Sequence, residues 1–136
     1  MVSFIRRLAV ASLLLGTLLV GAPPMAEAQQ PQLRSLVFQN NCRTPVRLLV
    51  RHLEEQNRYT TTGFYTIRPS TSTRLTERGD NIMHRTGSPL FFFAETDGRT
   101  WSSSEVTVAF NGVNYRMVRA NQTVSGDSIQ FSVGCG

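Results

Sequence analysis

The alternation of apolar and polar residues beyond residue 32 is typical of short β strands. The run Pro-Leu-Phe-Phe-Phe-Ala-Glu at residues 89–95 is the exception, because its three consecutive phenylalanines leave no polar face for water. Such a run predicts a strand that is covered on both faces. A covered strand needs a second layer over each face, so the alternating segments before and after it are predicted to form the enclosing sheets.

The strongest local signal is a hairpin between residues 105 and 118. Asn111-Gly112 separates two alternating runs, and these residue types tolerate the positive φ that a two-residue hairpin turn requires. The turn predicts three cross-strand pairs on one face, namely Phe110 with Val113, Val108 with Tyr115, and Val106 with Met117. The other face is mostly polar and is predicted to be exposed to water.

Further strands follow one another at spacings of about ten residues. Residues 46–54 alternate with one apolar face as far as His52, and residues 59–68 return after a charged hairpin loop. Residues 77–88 lack periodicity and predict a surface loop, and residues 128–133 form the last strand. Seven or eight short strands without helical periodicity predict an all-β fold, a single antiparallel sandwich or barrel.

The N-terminal residues predict export. Arg6-Arg7 form a positive region, residues 8–22 are apolar, and Ala26-Glu27-Ala28 is a small-x-small cleavage site. This pattern predicts a secretory signal peptide over residues 1–28 and a single exported β domain over residues 29–136. A membrane anchor is the alternative, but the apolar run is shorter than the roughly 20 residues that span a bilayer, and no transmembrane segment follows it.

The charge of the exported part narrows the class of partner. Without residues 1–28, 108 of the 136 residues remain, and the loss of Arg6, Arg7 and Glu27 leaves 12 arginines against 8 acidic residues, a formal charge of +4. None of the basic residues is lysine. Export makes nucleic acid a poor partner, and an anionic surface of the cell envelope is the better one.

Two cysteines, Cys42 and Cys135, are present in the chain. In an oxidising compartment such a pair predicts one disulfide, which would tie the first strand region to the C-terminal region. A free catalytic thiol is the alternative interpretation. Cys135 is the penultimate residue, however, where a nucleophile is hard to hold in a fixed geometry.

Three segments together carry a family resemblance. They are Asn41-Cys42 after the first strand, Gly-Phe-Tyr-Thr-Ile-Arg-Pro at residues 63–69, and Leu-Phe-Phe-Phe-Ala-Glu at residues 90–95 followed by Trp101. This set resembles a bacterial family of small exported domains that is catalogued only as a domain of unknown function. The resemblance implies a β fold and export, and it implies no particular activity. Its members often carry Pro-Gly-x-Cys where this chain has Pro-Ser-Thr-Ser at residues 69–72, so the second disulfide that the resemblance implies is absent.

The histidines and carboxylates form no catalytic motif. His52 lies near the end of its strand and is predicted to be a partly exposed edge residue. His84 lies in the 77–88 loop, a position compatible with function, but its neighbours lack the spacing of a metal site, and no metal or cofactor is predicted. Glu95 and Asp97 lie two residues apart, whereas the carboxylate pairs of glycosidases usually come from different elements.

Aromatic and arginine residues are the better candidates for binding. Trp101 is the sole tryptophan and follows Arg99 in a predicted loop, where an indole could anchor a partner. The alternative is that Trp101 plugs the end of the sandwich. Phe64 and Tyr65 are adjacent, so one of them is predicted to face the core and the other to be exposed. The predicted binding residues are Trp101, Arg99, Tyr65 and His84.

These observations favour a non-catalytic exported domain, periplasmic or secreted, that binds a glycan or a protein of the envelope. The alternatives are a small secreted hydrolase that uses His84 or the Glu95 and Asp97 pair, and an inhibitor of an envelope enzyme. A hydrolase would bring His84 within reach of a carboxylate in a cleft. A binding protein would instead present an exposed aromatic patch.

Overall fold

A computed structural model describes residues 32–55 and 57–136, and this part of the chain consists of strands and turns. The predicted signal peptide lies outside the described residues. The strands are β1 (Leu33–Asn41), β2 (Val46–Glu55), β3 (Arg58–Ile67), β4 (Ser72–Arg74), β5 (Thr76–Glu77), β6 (Asp80–Asn81), β7 (Met83–Arg85), β8 (Phe91–Thr96), β9 (Arg99–Trp101), β10 (Val106–Phe110), β11 (Val113–Arg119), β12 (Thr123–Ser125) and β13 (Ser128–Gly134). Six of these strands have only two or three residues. The sequence pattern missed most of them, because a strand of two or three residues is too short to display an alternation of apolar and polar positions.

Most of the strands belong to two sheets. The first has the order β12-β13-β1-β4, with β7 also paired to β1, and the second has the order β10-β11-β8-β2-β3, with β9 also paired to β8. The described pairings are antiparallel except that of β1 with β13, which is parallel from Ser35 opposite Ser128 to Asn41 opposite Gly134. The predicted antiparallel architecture is therefore wrong for this pair. Two parallel strands need a long connection between them, and here the connection between β1 and β13 contains most of the chain.

The Asn111-Gly112 hairpin has the predicted register. Both turn residues have positive φ, 49° and 77°. The three predicted cross-strand pairs of the apolar face are present between β10 and β11. The side chains of the predicted wet face at Thr107, Ala109, Asn114 and Arg116 are exposed.

The main hydrophobic core lies between the two sheets. Phe92 and Ala94 of β8 join a buried cluster with Leu36 and Phe38 of β1 and Phe131 of β13. The ring centroid of Phe131 lies 5.1 Å from that of Phe38 and 5.6 Å from that of Phe92, so this ring links the two sheets. The all-β, sandwich-like arrangement is therefore confirmed.

The opposite face of the six-stranded sheet carries a second cluster, in which Leu49, Phe91 and Met117 are buried. Phe64 of β3 and Phe110 of β10 meet there with ring centroids 6.0 Å apart. Since β3 and β10 are the two edges of this sheet, the contact means that the sheet curls into a half-barrel. The phenylalanine strand is thus fully covered on its Phe92 face, whereas the other face, where Phe93 is half-buried, is covered only in part and by its own sheet.

Cys42 and Cys135 form a disulfide, as predicted, with their Cα atoms 5.0 Å apart. The bond lies just beyond the last residues of the parallel pair of β1 and β13. It therefore fixes one end of the first sheet. No helix within the described residues is long and apolar enough to cross a membrane.

Candidate functional site

The four residues predicted for binding do not form one site. Trp101 and Arg99 lie on the short strand β9 and not in a loop, and Trp101 is half-buried against the main core. The guanidinium carbon of Arg99 lies 5.1 Å from the centroid of the indole ring. Tyr65 lies on β3, across the sheet from β9, and His84 is buried on β7.

Phe64 and Tyr65 are both half-buried, so the prediction that one of them is exposed was wrong. Each has a hydrophobic cluster to enter, because both faces of this sheet carry one. A register shift places Gly63 opposite Leu49 and leaves Phe64 as the extra residue of a bulge. Burial, and to a lesser degree the charge of Glu77, raises the pKa of the Tyr65 hydroxyl to about 12.

His84 is fully buried, although the sequence placed it in a surface loop. Residues 77–88 contain β6 and β7, and β7 pairs with β1. The ring of His84 accepts a hydrogen bond at Nδ1 from the amide of Leu53 (3.0 Å) and donates one from Nε2 to the carbonyl of Ser88 (2.8 Å). Both nitrogens are thus used by the backbone, which gives His84 a structural role.

His52 is also buried, and the prediction of a partly exposed edge residue was wrong because β2 lies between β8 and β3. Its Nδ1 donates to the carbonyl of Met83 at 2.8 Å, and its Nε2 accepts from the hydroxyl of Thr62 at the same distance. Together the two histidines connect β2, β3 and β7. Each satisfies its partners as a neutral imidazole.

Burial lowers the pKa of both histidines. Their carbonyl partners oppose this shift, as do the charges of Glu54 and Glu77 at His52, whereas the neighbouring His52 lowers the pKa of His84 further. Protonation of His84 would also place a new N–H against the amide of Leu53. Both rings therefore take up a proton less readily in the folded protein than in the unfolded chain.

This arrangement predicts acid sensitivity. The histidine pKa in the unfolded chain is about 6.5 and lies lower in the folded protein, so below pH 6.5 the unfolded state binds more protons. The free energy of unfolding is therefore undiminished above pH 6.5, and it declines as the pH falls from 6.5 through the pKa values of the two histidines in the folded protein. Urea unfolding at pH 7.5, 6 and 5 is expected to give a decreasing free energy of unfolding.

The control is a double variant, His52→Gln with His84→Gln, which removes both titrating rings. Its stability is expected to be nearly constant over the same pH range, because ordinary carboxylates titrate near pH 4. A wild-type stability that is unchanged or higher at pH 5 would contradict a structural role for the neutral pair.

The concave side of the half-barrel combines rings with guanidinium groups. We call this surface the arginine–aromatic face, and it consists of Tyr59, Phe64, Phe91, Phe93, Phe110, Tyr115, Arg47, Arg51 and Arg119. Of its six rings only that of Phe91 belongs to a buried residue, and the others are half-buried. The curl of the sheet therefore gathers the rings without removing them from solvent.

The three arginines of this face lie over its rings. The guanidinium carbon of Arg47 is 4.2 Å from the centroid of Phe64, that of Arg51 is 4.7 Å from Tyr59, and that of Arg119 is 5.6 Å from Phe91. These distances are within the range of cation–π attraction. The rings thus hold the guanidinium groups in place, and the N–H donors lie at the edges of these planar groups.

Two acidic side chains border the arginine–aromatic face. Glu95 pairs with Arg47, and Glu105 pairs with Arg119 at 3.1 Å. All four side chains are more than one third exposed, and exposed pairs of this kind contribute only about 0–1 kcal/mol. Arg51 has no acidic partner within the described residues.

A second concave surface lies beside the disulfide. It is a cleft of about 540 Å³ lined by Arg43, Thr44, Thr96, Asp97 and Arg99, together with the disulfide itself. Asp97 opposes the charges of the two arginines. Because Asp97 lines this cleft while Glu95 binds Arg47 on the arginine–aromatic face, the two carboxylates serve different surfaces.

Searches against protein-family models, curated proteins and solved structures found no match for this chain. The fold and the surface together define a disulfide-bonded all-β protein with one curled sheet.

Proposed function

We propose that this chain is an exported, non-catalytic binding domain of the bacterial cell envelope, either periplasmic or secreted, and that it binds with the arginine–aromatic face. The observation that carries the proposal is the gathering of five half-buried rings and three ring-held arginines on one concave surface. Aromatic residues and arginine are the types that concentrate binding energy. Apolar clusters left partly open to solvent are typical of interaction sites.

Two observations support export. The N-terminal pattern is that of a signal peptide. The disulfide between Cys42 and Cys135 is of the kind that persists in oxidising compartments. The fold that we propose for the exported part is a single β sandwich of seven longer strands with one half-barrel sheet.

The contacts of the ionisable residues favour a binding function over a hydrolase. His84 has both ring nitrogens engaged by backbone groups in the interior, which removes it from any substrate. Glu95 is paired with Arg47, and Asp97 lies in a different surface. The residues suggested for a hydrolase are thus separated from one another.

A capture experiment tests the proposal. The exported protein, the double variant Arg47→Glu with Arg51→Glu, and a control Arg116→Glu would each be incubated with envelope extract, and bound protein and carbohydrate would be analysed. Arg116 is exposed on the other face of β11. We expect the wild type and the control to retain the same component and the double variant to lose it. Equal retention by all three proteins would exclude the arginine–aromatic face as the binding surface.

A further inference from the structure

The three arginines of the arginine–aromatic face are held apart from one another. Phe91 of β8 is paired with Arg51 on the neighbouring strand β2 and with Arg119 on the other neighbouring strand, β11. The backbones of the two arginines are therefore two strand spacings apart, or about 10 Å. Arg47 lies four residues before Arg51 on the same strand, about 13 Å along it. Each guanidinium is also held over a different ring. The backbone positions of the three cations are therefore spread over the face, and each guanidinium group has its own ring.

This spacing identifies the kind of anion that fits. A single small anion would engage one arginine of the array, whereas a polymer with repeated charges can engage all three. Guanidinium groups bind carboxylates and phosphates through paired N–H donors. Because the rings fix these groups beforehand, less side-chain entropy is lost when the ligand binds.

The arginine–aromatic face offers little that would anchor it in a lipid bilayer. The contact of Phe64 with Phe110 closes the two edges of the sheet toward each other, so their rings fill the inside of the curl. A bilayer is flat and is anchored by protruding apolar side chains. Of the large apolar residues that are exposed in the described part of the chain, Leu33, Val113 and Val124, only Val113 borders this face.

We infer that the ligand of the arginine–aromatic face is an anionic polysaccharide, whose carboxylate groups pair with Arg51 directly and with Arg47 and Arg119 by displacing their exposed partners Glu95 and Glu105. Its sugar rings would contact the half-buried aromatic side chains between these cations, since aromatic rings offer apolar faces with adjacent polar groups. This inference rests on the proposed function and names the chemical class of its ligand.

The test uses the exported protein with polygalacturonate, a polymer of uronic acids, and with neutral dextran, in calorimetric titrations at low and moderate salt. Binding to polygalacturonate and not to dextran is expected. Loss of one charge-assisted contact corresponds to a weakening of roughly tenfold or more, so Arg51→Gln and Arg119→Gln should each show it. The control Arg116→Gln removes the same charge from the other face and is expected to leave the affinity within about twofold.

Arg51→Lys tests whether binding requires the planar guanidinium group or only its positive charge. It keeps the charge but loses the planar donor set, so an affinity between those of the wild type and Arg51→Gln is expected. Melting temperatures of all variants identify any that fail to fold. For such a variant at Arg51 or Arg119, methionine replaces glutamine in the comparison, because it also removes the charge and keeps a long apolar stem over the ring.

Several results would overturn the inference. Equal weakening by Arg116→Gln would show general charge attraction, and binding to phosphatidylglycerol vesicles without binding to polygalacturonate would make the face a membrane surface. Absence of binding to the polymer, combined with capture of an envelope component that still depends on Arg47 and Arg51, would refute the ligand class and leave the proposed function intact. Capture that does not depend on Arg47 and Arg51 would refute both the ligand class and the proposed binding surface.

Discussion

Replacing Cys42 and Cys135 together by serine is expected to lower the free energy of unfolding by about 4 to 5 kcal/mol. The bond joins residues 93 positions apart, and in the chain-entropy model a crosslink of that length restricts the unfolded state by this amount. Domains of this size are stable by only about 5–15 kcal/mol, so the variant should lose a large part of its stability. Urea unfolding monitored by circular dichroism measures the difference.

Reduced wild-type protein is the control for this experiment. It keeps both sulfur atoms, so a loss shared by the reduced protein and the serine variant belongs to the crosslink and not to packing at the buried Cys42. The parallel pair of β1 and β13 ends beside the bond, and its amides should exchange faster once the bond is removed. An unchanged unfolding midpoint in both proteins would contradict a stabilising role.

Replacing Phe64 by alanine is expected to cost about 3 kcal/mol, near the lower end for this substitution because the ring is half-buried. The ring lies 5.3 Å from Tyr115, 6.0 Å from Phe110 and 6.3 Å from Phe93, and it also supports Arg47. Its removal takes away the contact between the two edges of the curled sheet. Denaturant unfolding gives the magnitude.

Phe64→Leu is the matched variant, since it keeps an apolar side chain in the bulge. It is expected to recover most of the stability but not the affinity for an anionic polymer, because leucine offers no ring face to Arg47. A cost below about 1 kcal/mol for Phe64→Ala would show that the curl of the sheet does not depend on this ring.

The sequence pattern was informative where contacts are local. The two-residue Asn111-Gly112 turn fixes the register of its own strands, so the pairs of β10 and β11 could be derived residue by residue. The run of phenylalanines at residues 91–93 likewise required cover on both faces. The parallel pairing of β1 with β13 has no local signal, because it depends on how the whole intervening chain folds.

The candidate site was less accessible to sequence reasoning. The alternation of Arg47, Leu49 and Arg51 on one face of β2 was visible, but nothing local indicated that Phe91 and Arg119 would lie beside them. His84 was misplaced because glycine and acidic residues around it suggested a loop. Strands of two or three residues are too short to show a period, so both its burial and the strand position of Trp101 were missed.

The most direct test of the arginine–aromatic face is a nuclear magnetic resonance titration of isotope-labelled protein comprising residues 29–136 with oligogalacturonate. We expect the largest shift changes at the side-chain Nε–H signals of Arg47, Arg51 and Arg119 and at the backbone amides of β2, β8 and β11. Changes confined to the cleft around Arg43 and the disulfide, or no changes at saturating oligosaccharide, would contradict the assignment of this face as the binding surface for anionic polysaccharide.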